Sequence, residues 1–154
     1  MGTIHLRELH EDNLRKVIKL SDTLTEEQKK CVAPNVFSIA EAYVYPGIAW
    51  PRAIYLDDEP IGFVMLSLKP DEVKEEDLPA YYLWRFMIAK DHQRNGYGKQ
   101  VLDILVAKCK AEGIKTLYTS CDITGEQPYQ FYIRYGFVDT LENDGEQILK
   151  IAIN

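Results

Sequence analysis

The chain is poor in the residues that staple or metallate a small fold. Its 154 residues hold only three cysteines and three histidines. Cys31, Cys109 and Cys121 are odd in number with no CxxC spacing, and His5, His10 and His92 lie far apart, so neither a disulfide framework nor a metal centre is expected. A cationic excess is also missing: 18 Lys and Arg against 24 Asp and Glu leave a net charge of −6. Binding to nucleic acid, which needs a basic face, is disfavoured, whereas a small cation would be attracted. No apolar run reaches the ~18 residues of a membrane span. "MGTIHLRELHEDN" carries charges where a signal peptide needs an apolar core, so the expectation is a cytoplasmic protein with no membrane partner. Neither the dinucleotide fingerprint GxGxxG nor the P-loop GxxxxGK[ST] occurs.

What is present suits one globular domain spanning 1–154, with 46% hydrophobic and 27% charged residues. "TIHLREL" alternates as a strand, and "HEDNLRKVIKLS" follows with helical spacing. A second helix is expected from Ser38 as N-cap, with Glu41 three residues on completing a capping box. "PRAIYLDDEPIGFVMLSLK" reads as a hairpin turning at Asp57 and Asp58, and the apolar "AYYLWRFMIA" as a central strand buried on both faces. Val101, Leu102, Leu105, Val106 and Cys109 then form one helical stripe closed by Gly113, and "IKTLYTSCD" is the next strand. This strand, helix and strand make a right-handed parallel crossover. "EQPYQFYIRYGF" reads as a last helix, and the chain finishes in a hairpin through Asn143, Asp144 and Gly145. The order implies a mixed sheet with helices on its faces, in the α+β class.

Between the central strand and the striped helix stands "DHQRNGYGKQVL". A helix that begins straight after a strand leaves its first N–H groups unpaired at the positive end of its dipole. Gly96 and Gly98 would let a phosphate approach the backbone, and Gln93, Arg94 and Lys99 carry donors. Tight packing alone also explains glycines at such a turn, and both readings stand on these residues.

"QRNGYG", Gln93 to Gly98, resembles the Q/R-x-x-G-x-G/A motif of the GNAT superfamily of acetyl-CoA-dependent N-acetyltransferases, and "FYIRYGF" is similar to that family's later FY-x-x-x-GF segment. The resemblance implies a mostly antiparallel sheet of about seven strands, a splayed central parallel pair and about four helices on both faces. It implies that acetyl-CoA sets its pyrophosphate on the backbone of Arg94, Asn95, Gly96, Tyr97, Gly98 and Lys99. Its pantetheine arm would run along Phe86, Met87 and Ile88, in the manner of an added strand. An amide N–H at Met87 or Ile88 would hold the oxyanion, and Tyr132 would protonate the departing thiolate. No metal is implied, and a homodimer through the late strands is compatible with the family.

Two features depart from the family. The central strand carries no carboxylate to serve as base, so Asp122 and then Glu41 are the candidates, each with a solvated surface role as the alternative. Gly125 stands where many relatives carry the Asn that bonds the pantetheine arm. Tyr132 itself has core packing as its alternative.

"GFVMLSL", "WRFMI" and "LENDGEQILKI" resemble the bacterial polyamine (spermidine/spermine) acetyltransferases. A polyamine would be held by carboxylates and by the faces of aromatic residues, with Glu41, Tyr82 and Trp84 as candidate substrate contacts beside Tyr43, Tyr45 and Trp50. The same aromatics could instead fill the core or a dimer interface. A protein, peptide or other small-amine acetyltransferase and a non-catalytic acyl-CoA-binding module are the competing classes.

Overall fold

The computed structural model describes residues 2–122, 126–143 and 145–154, with the side chains of residues 126 and 127 outside that description. In chain order the elements are β1 (Ile4–Arg7), α1 (Leu14–Leu20), α2 (Glu26–Lys29), α3 (Asn35–Val44), β2 (Ala49–Leu56), β3 (Glu59–Ser67) and β4 (Ala80–Ile88). They continue with α4 (Tyr97–Ala111), β5 (Thr116–Cys121), α5 (Glu126–Tyr135), β6 (Val138–Asn143) and β7 (Gln147–Ala152). One seven-stranded sheet runs in the order β1-β2-β3-β4-β5-β7-β6. Every pairing is antiparallel except β4 with β5. The expected mixed α+β sheet with a central parallel pair is therefore found. One helix more than expected appears, because α2 forms a separate single turn.

The helices divide between the two faces. The α4 stripe packs Val101, Leu102, Leu105 and Cys109 fully out of solvent against Leu83, Leu117 and Leu149, with α5 adding Tyr132 to the same layer. Each such leucine contributes roughly 2 kcal/mol of transfer free energy, enough to fix where α4 begins. Beyond α4, Gly113 takes φ +73°, and Ile114 N–H reaches back to the Cys109 carbonyl, the closure expected of that glycine. On the opposite face Val17 of α1, with Ile39 and Ala42 of α3, packs against Ala53, Phe63, Met65 and Met87.

The start of α3 differs from the expectation. Pro34 occupies its N-cap position, and Ser38 lies inside the helix, fully buried. Asn35 explains the earlier start: its side-chain amide donates to the Val17 carbonyl at 2.8 Å, and its N–H donates to Ser21 Oγ at 3.1 Å, locking the first turn onto α1. The capping box occurs instead at α2, where Thr25 and Gln28 exchange side-chain and backbone bonds.

β4 is the element on which the rest turns. Its register against β3 slips where Met65 faces Arg85 while Leu66 faces Leu83, leaving Trp84 as an inserted residue. A bulge of this kind bends the strand and breaks the alternation of its side chains. Tyr81 and Leu83 lie in the α4 layer, Trp84 and Arg85 both turn toward α3, and Phe86 and Ile88 return to the α4 layer. Pairing with β5 covers only Ala80 to Leu83, against Thr116 to Thr119. From the bulge onward β4 stays with β3, while β5 continues to Cys121 along β7. The two parallel strands thus part at Leu83 and Thr119.

Gly62 secures this arrangement from the β3 side. A Cβ there would stand 2.4 Å from the Met87 carbonyl oxygen, a backbone atom with no rotamer through which to yield. Gly62→Ala is therefore expected to destabilise the fold by about 1–3 kcal/mol, the usual cost of overpacking. Urea denaturation should show the midpoint fall with an unchanged slope.

Candidate functional site

The parting of β4 from β5 leaves main-chain groups facing a gap. Ala89 N–H donates to the Ile61 carbonyl at 2.7 Å, so by strand alternation Met87 also directs its main-chain groups to β3, while Phe86 and Ile88 direct theirs away from it. Of the two expected oxyanion donors, Met87 is committed to β3, and Ile88 faces the gap. The Ile88 carbonyl accepts a bond of 2.8 Å from the side-chain amide of Gln93. Gln93 also exchanges bonds with Gln28 of α2, so it ties the strand end to α2 and does not reach outward with the turn's cationic side chains.

At the outer end of the gap lies the glycine turn. Arg94 and Gly96 take φ +64° and +80°, and Gly96 caps α4 with no side-chain hydrogen bond. Asn95 shapes the turn by donating to the His92 and Gln93 carbonyls at 3.3 and 3.1 Å. Arg94, Asn95, Gly96 and Lys99 are exposed, and Tyr97 and Gly98 are half-buried. A Cβ on Gly96 would meet nothing within 4 Å. The start of α4 is thus uncrowded by side chains at Gly96, a condition that an anion-binding helix start requires. Gly98 serves a different end: a Cβ there would come within 3.0 Å of the Phe131 ring. It permits α4 to sit against α5, and Gly96 is the glycine that leaves room for an anion. Lys99 pairs with Asp103 at 3.3 Å on the surface, a weak bond that an arriving anion could replace.

At the inner end, where the strands part, stands Tyr132. It is 7% exposed and lies beside Thr119, the last β5 residue paired to β4, whose own hydroxyl donates to the Leu83 carbonyl at 3.2 Å. Burial, with smaller contributions from Cys121 and Glu146, pushes the hydroxyl far above its ordinary value, and Thr119 only partly offsets them. The phenol is thus protonated at every physiological pH, and it can give up its proton to a weaker base such as a thiolate only in step with receiving another. The neighbouring Cys121 thiol is pushed up to about 11, first by burial and then by Glu146, Asp139 and Asp122, so it offers no thiolate nucleophile.

The α3 side of the gap carries the charged groups. Arg85 pairs with Glu41 at 3.0 Å, and its guanidinium lies 5.4 Å from the centre of the Trp84 ring. Glu41 is accordingly engaged with Arg85, which reduces its fitness as a base. Trp84 packs against Tyr45 at 6.1 Å between centroids. Tyr82 lies on the same face by alternation and stacks on Tyr118 at 5.9 Å. Tyr118 donates to Asp77, which also pairs with Lys150 at 2.9 Å, so one member of the acidic loop is engaged in holding the sheet. Trp50 stands apart: Arg52 and Lys108 lie over its ring at 4.1 and 4.4 Å, against the α4 layer. Tyr43 is 88% exposed on α3.

Asp122 follows directly on β5, at the mouth of the gap. Near it is a residue that sequence reading passed over, Glu146. The antiparallel ladder of β5 and β7 ends at Cys121 and Gln147, and Asp122 and Glu146 adjoin that end, one on each strand. Burial and the Asp122 charge push the Glu146 carboxyl up, and Arg85 partly counters them. No local motif marks Glu146, because only strand pairing brings it to the gap. Gly125 lies outside the described residues, as do the side chain of Gln127 and the turn residue Asp144. No group of side chains suited to a metal ion occurs among the described residues, and none of their helices is long and apolar enough to cross a membrane.

Known proteins resemble this chain in sequence and in shape. A probable spermine N(1)-acetyltransferase of Bacillus subtilis subsp. natto is 28% identical over 102 residues, covering 64% of this chain and 67% of that protein. The PaiA N-acetyltransferase of Thermoplasma acidophilum, solved with coenzyme A, superposes with a TM-score of 0.70 at 16% identity, over 97% of this chain and 99% of its own. A GNAT acetyltransferase of Elizabethkingia anophelis with acetyl-CoA bound gives 0.68 at 16% identity over 97% of both chains. Residues 10–137 match the family described as Acetyltransferase (GNAT) family. Across that span lie the parted strands, the amide turn and Tyr132, and the chain belongs to the GNAT acetyltransferases, with acetyl-CoA as its cosubstrate.

Proposed function

We propose that the chain is one catalytic domain that moves the acetyl group of acetyl-CoA to a primary amine, with a polyamine of the spermine type as acceptor. The observation that carries this reading is the gap between β4 and β5, with an uncovered amide turn at one end and the buried Tyr132 hydroxyl at the other. An extended thioester carrier suits such a gap: its diphosphate meets the first turn of α4, and its arm pairs with the main chain of Phe86 and Ile88. The Ile88 N–H then supports the charge that develops on the thioester carbonyl oxygen. The amine attacks directly, because the cysteine beside the gap is held protonated.

The polyamine assignment is supported by the 28% identical relative and by the layout of charge. The α3 side of the gap carries the Trp84 and Tyr45 rings, and Arg85 beside Trp84 is also the cation that acts on Glu146, in a chain of net charge −6. Carboxylates attract the distal ammonium groups, and aromatic faces add about 0.5–2 kcal/mol for each cation they meet. The same reading includes a cytoplasmic homodimer, for which strand β6 at the edge of the sheet offers exposed Val138 and Leu141.

Thiol release from acetyl-CoA, measured against polyamines, amino acids, aminoglycosides and peptides, tests the assignment. Spermine or spermidine is expected to lead by tenfold or more in kcat/KM, which corresponds to about 1.4 kcal/mol of differential transition-state binding. A peptide leading the panel would overturn it.

Tyr132→Phe is expected to lower kcat by roughly 100-fold, the scale of general acid catalysis, with the acetyl-CoA Kd unchanged in calorimetry. Gly98→Ala should raise that Kd by about tenfold, because the added methyl presses on Phe131 and displaces the amide turn. Gly113→Ala, strained by its φ of +73° at the far end of α4, should lower stability and leave the Kd in place.

A further inference from the structure

We propose that Glu146 is the base that takes the proton from the incoming ammonium, in an assignment that rests on the acetyl-transfer reading above. Three observations converge on it. The β5–β7 ladder ends at Cys121 and Gln147, and Asp122 and Glu146 are the residues that adjoin that end on the two strands. Its Oε2 atom is buried and has no hydrogen-bond partner, so one acceptor site on this carboxylate is uncommitted. Its charge also reaches the Tyr132 hydroxyl and the Cys121 thiol, which places the carboxylate within electrostatic range of the point where the strands part.

The surroundings of Glu146 come from every element about the mouth. Arg85 of β4, itself paired to Glu41 of α3, is the nearby cation. Asp122 at the end of β5 is the nearby anion. Cys31, exposed just past α2, has its thiol pushed up by partial desolvation and the Asp122, Glu146 and Glu27 charges, burial keeps the Cys121 thiol of β5 protonated, and Tyr132 of α5 is likewise neutral. Burial and the like charge of Asp122 make Glu146 a stronger base than a solvated glutamate, and Arg85 keeps that effect partial. Glu41 is less suited to the role, because one of its oxygens is committed to Arg85.

The proton inventory closes with this assignment. An alkylammonium gives one proton to Glu146, which later returns it to solvent. The freed amine forms the C–N bond, and collapse breaks the C–S bond. The departing sulfur takes the Tyr132 proton as the second proton lost by the nitrogen replaces it, so no buried tyrosinate is formed. The products are an acetamide, free thiol and one proton.

The sign of the pH dependence follows. Glu146 must be ionised to accept, so kcat/KM rises as pH climbs through its raised pKa. Asp122→Asn removes the like charge and should move the midpoint of that acid limb to lower pH. Glu146→Gln should lower kcat/KM at pH 7 by about 100-fold or more for an alkylamine and abolish the limb. Two conditions supply the amine already neutral: a pH approaching the amine's own pKa, and an acceptor of low ammonium pKa such as trifluoroethylamine. In both, the defect should shrink to less than about tenfold, which a merely structural role for Glu146 would not produce.

Acetyl-CoA affinity by calorimetry and the thermal midpoint are measured alongside, with Glu146→Asp as the variant that keeps a carboxylate and the acid limb. A Glu146→Gln enzyme with the wild-type pH profile, or with an equal loss at every pH and for both amines, overturns the assignment. Wild-type enzyme that releases no thiol with any amine instead sinks the acetyl-transfer reading and this inference with it.

Discussion

One constraint organises the molecule: β4 cannot stay paired on both sides beyond its bulge. At Trp84 the strand takes in an extra residue, and its ladder with β5 stops at Leu83 and Thr119. β3 holds the rest of β4, with Gly62 tight against Met87, while β7 holds the rest of β5. Main-chain groups left unpaired in an interior cost about as much as a lost hydrogen bond, so a gap edged by Phe86 and Ile88 calls for a partner with its own amides. The pantetheine of acetyl-CoA has two, at strand-like spacing. On the proposed reading, the fold and the cosubstrate are two answers to one pairing requirement.

The bulge also decides where charge stands. By turning Trp84 and Arg85 together toward α3, it puts an aromatic ring and a guanidinium side by side at the mouth of the gap. Glu41 holds that guanidinium, and Asp122 and Glu146 close the other side. The outer end of the gap is the start of α4, where the dipole and first-turn amides favour an anion. On the proposed reading, a donor that carries phosphates at one end and an acceptor that carries ammonium groups would meet complementary fields at opposite ends of one passage. Attraction at both ends is compatible with a chain that is acidic as a whole, because each field acts over about a Debye length.

Much of this was legible in residue order. Period-two and period-3.6 patterns placed the strands and the long helices, because those elements bury a regular face. The turn from Gln93 to Lys99 was legible for a local reason, glycines between a strand and a helix. What escaped depended on contacts distant in sequence. Ser38 looked like a cap, but Asn35 finds Val17 and Ser21 on α1 and draws the helix start back. Trp50 looked like a substrate contact, yet Arg52 and Lys108 lie over its ring. Gln93 looked like a phosphate ligand, and it turns inward to the Ile88 carbonyl. Glu146 was invisible as a site residue because nothing near it in sequence says which strand its hairpin will join.

The distribution of unpaired polar atoms carries the same message in energetic form. Among the described residues, the buried side-chain atoms without a hydrogen-bond partner are Asn35 Oδ1, Ser38 Oγ, Arg85 Nε and Glu146 Oε2. Asn35 and Ser38 lie on the stripe of α3 that also carries Glu41, and Asn35 touches the Met87 sulfur at 3.6 Å. Arg85 and Glu146 extend that line to the mouth of the gap. Each such atom costs about 1–3 kcal/mol unless something fills its bonding capacity, and a core built only for stability would use apolar side chains there. No such atom among the described residues falls in the α4 layer, where leucine and valine close the core. The sheet thus divides its labour: the α4 face supplies stability, and the α3 face gives some of it up to keep polar groups beside the place where β4 and β5 separate.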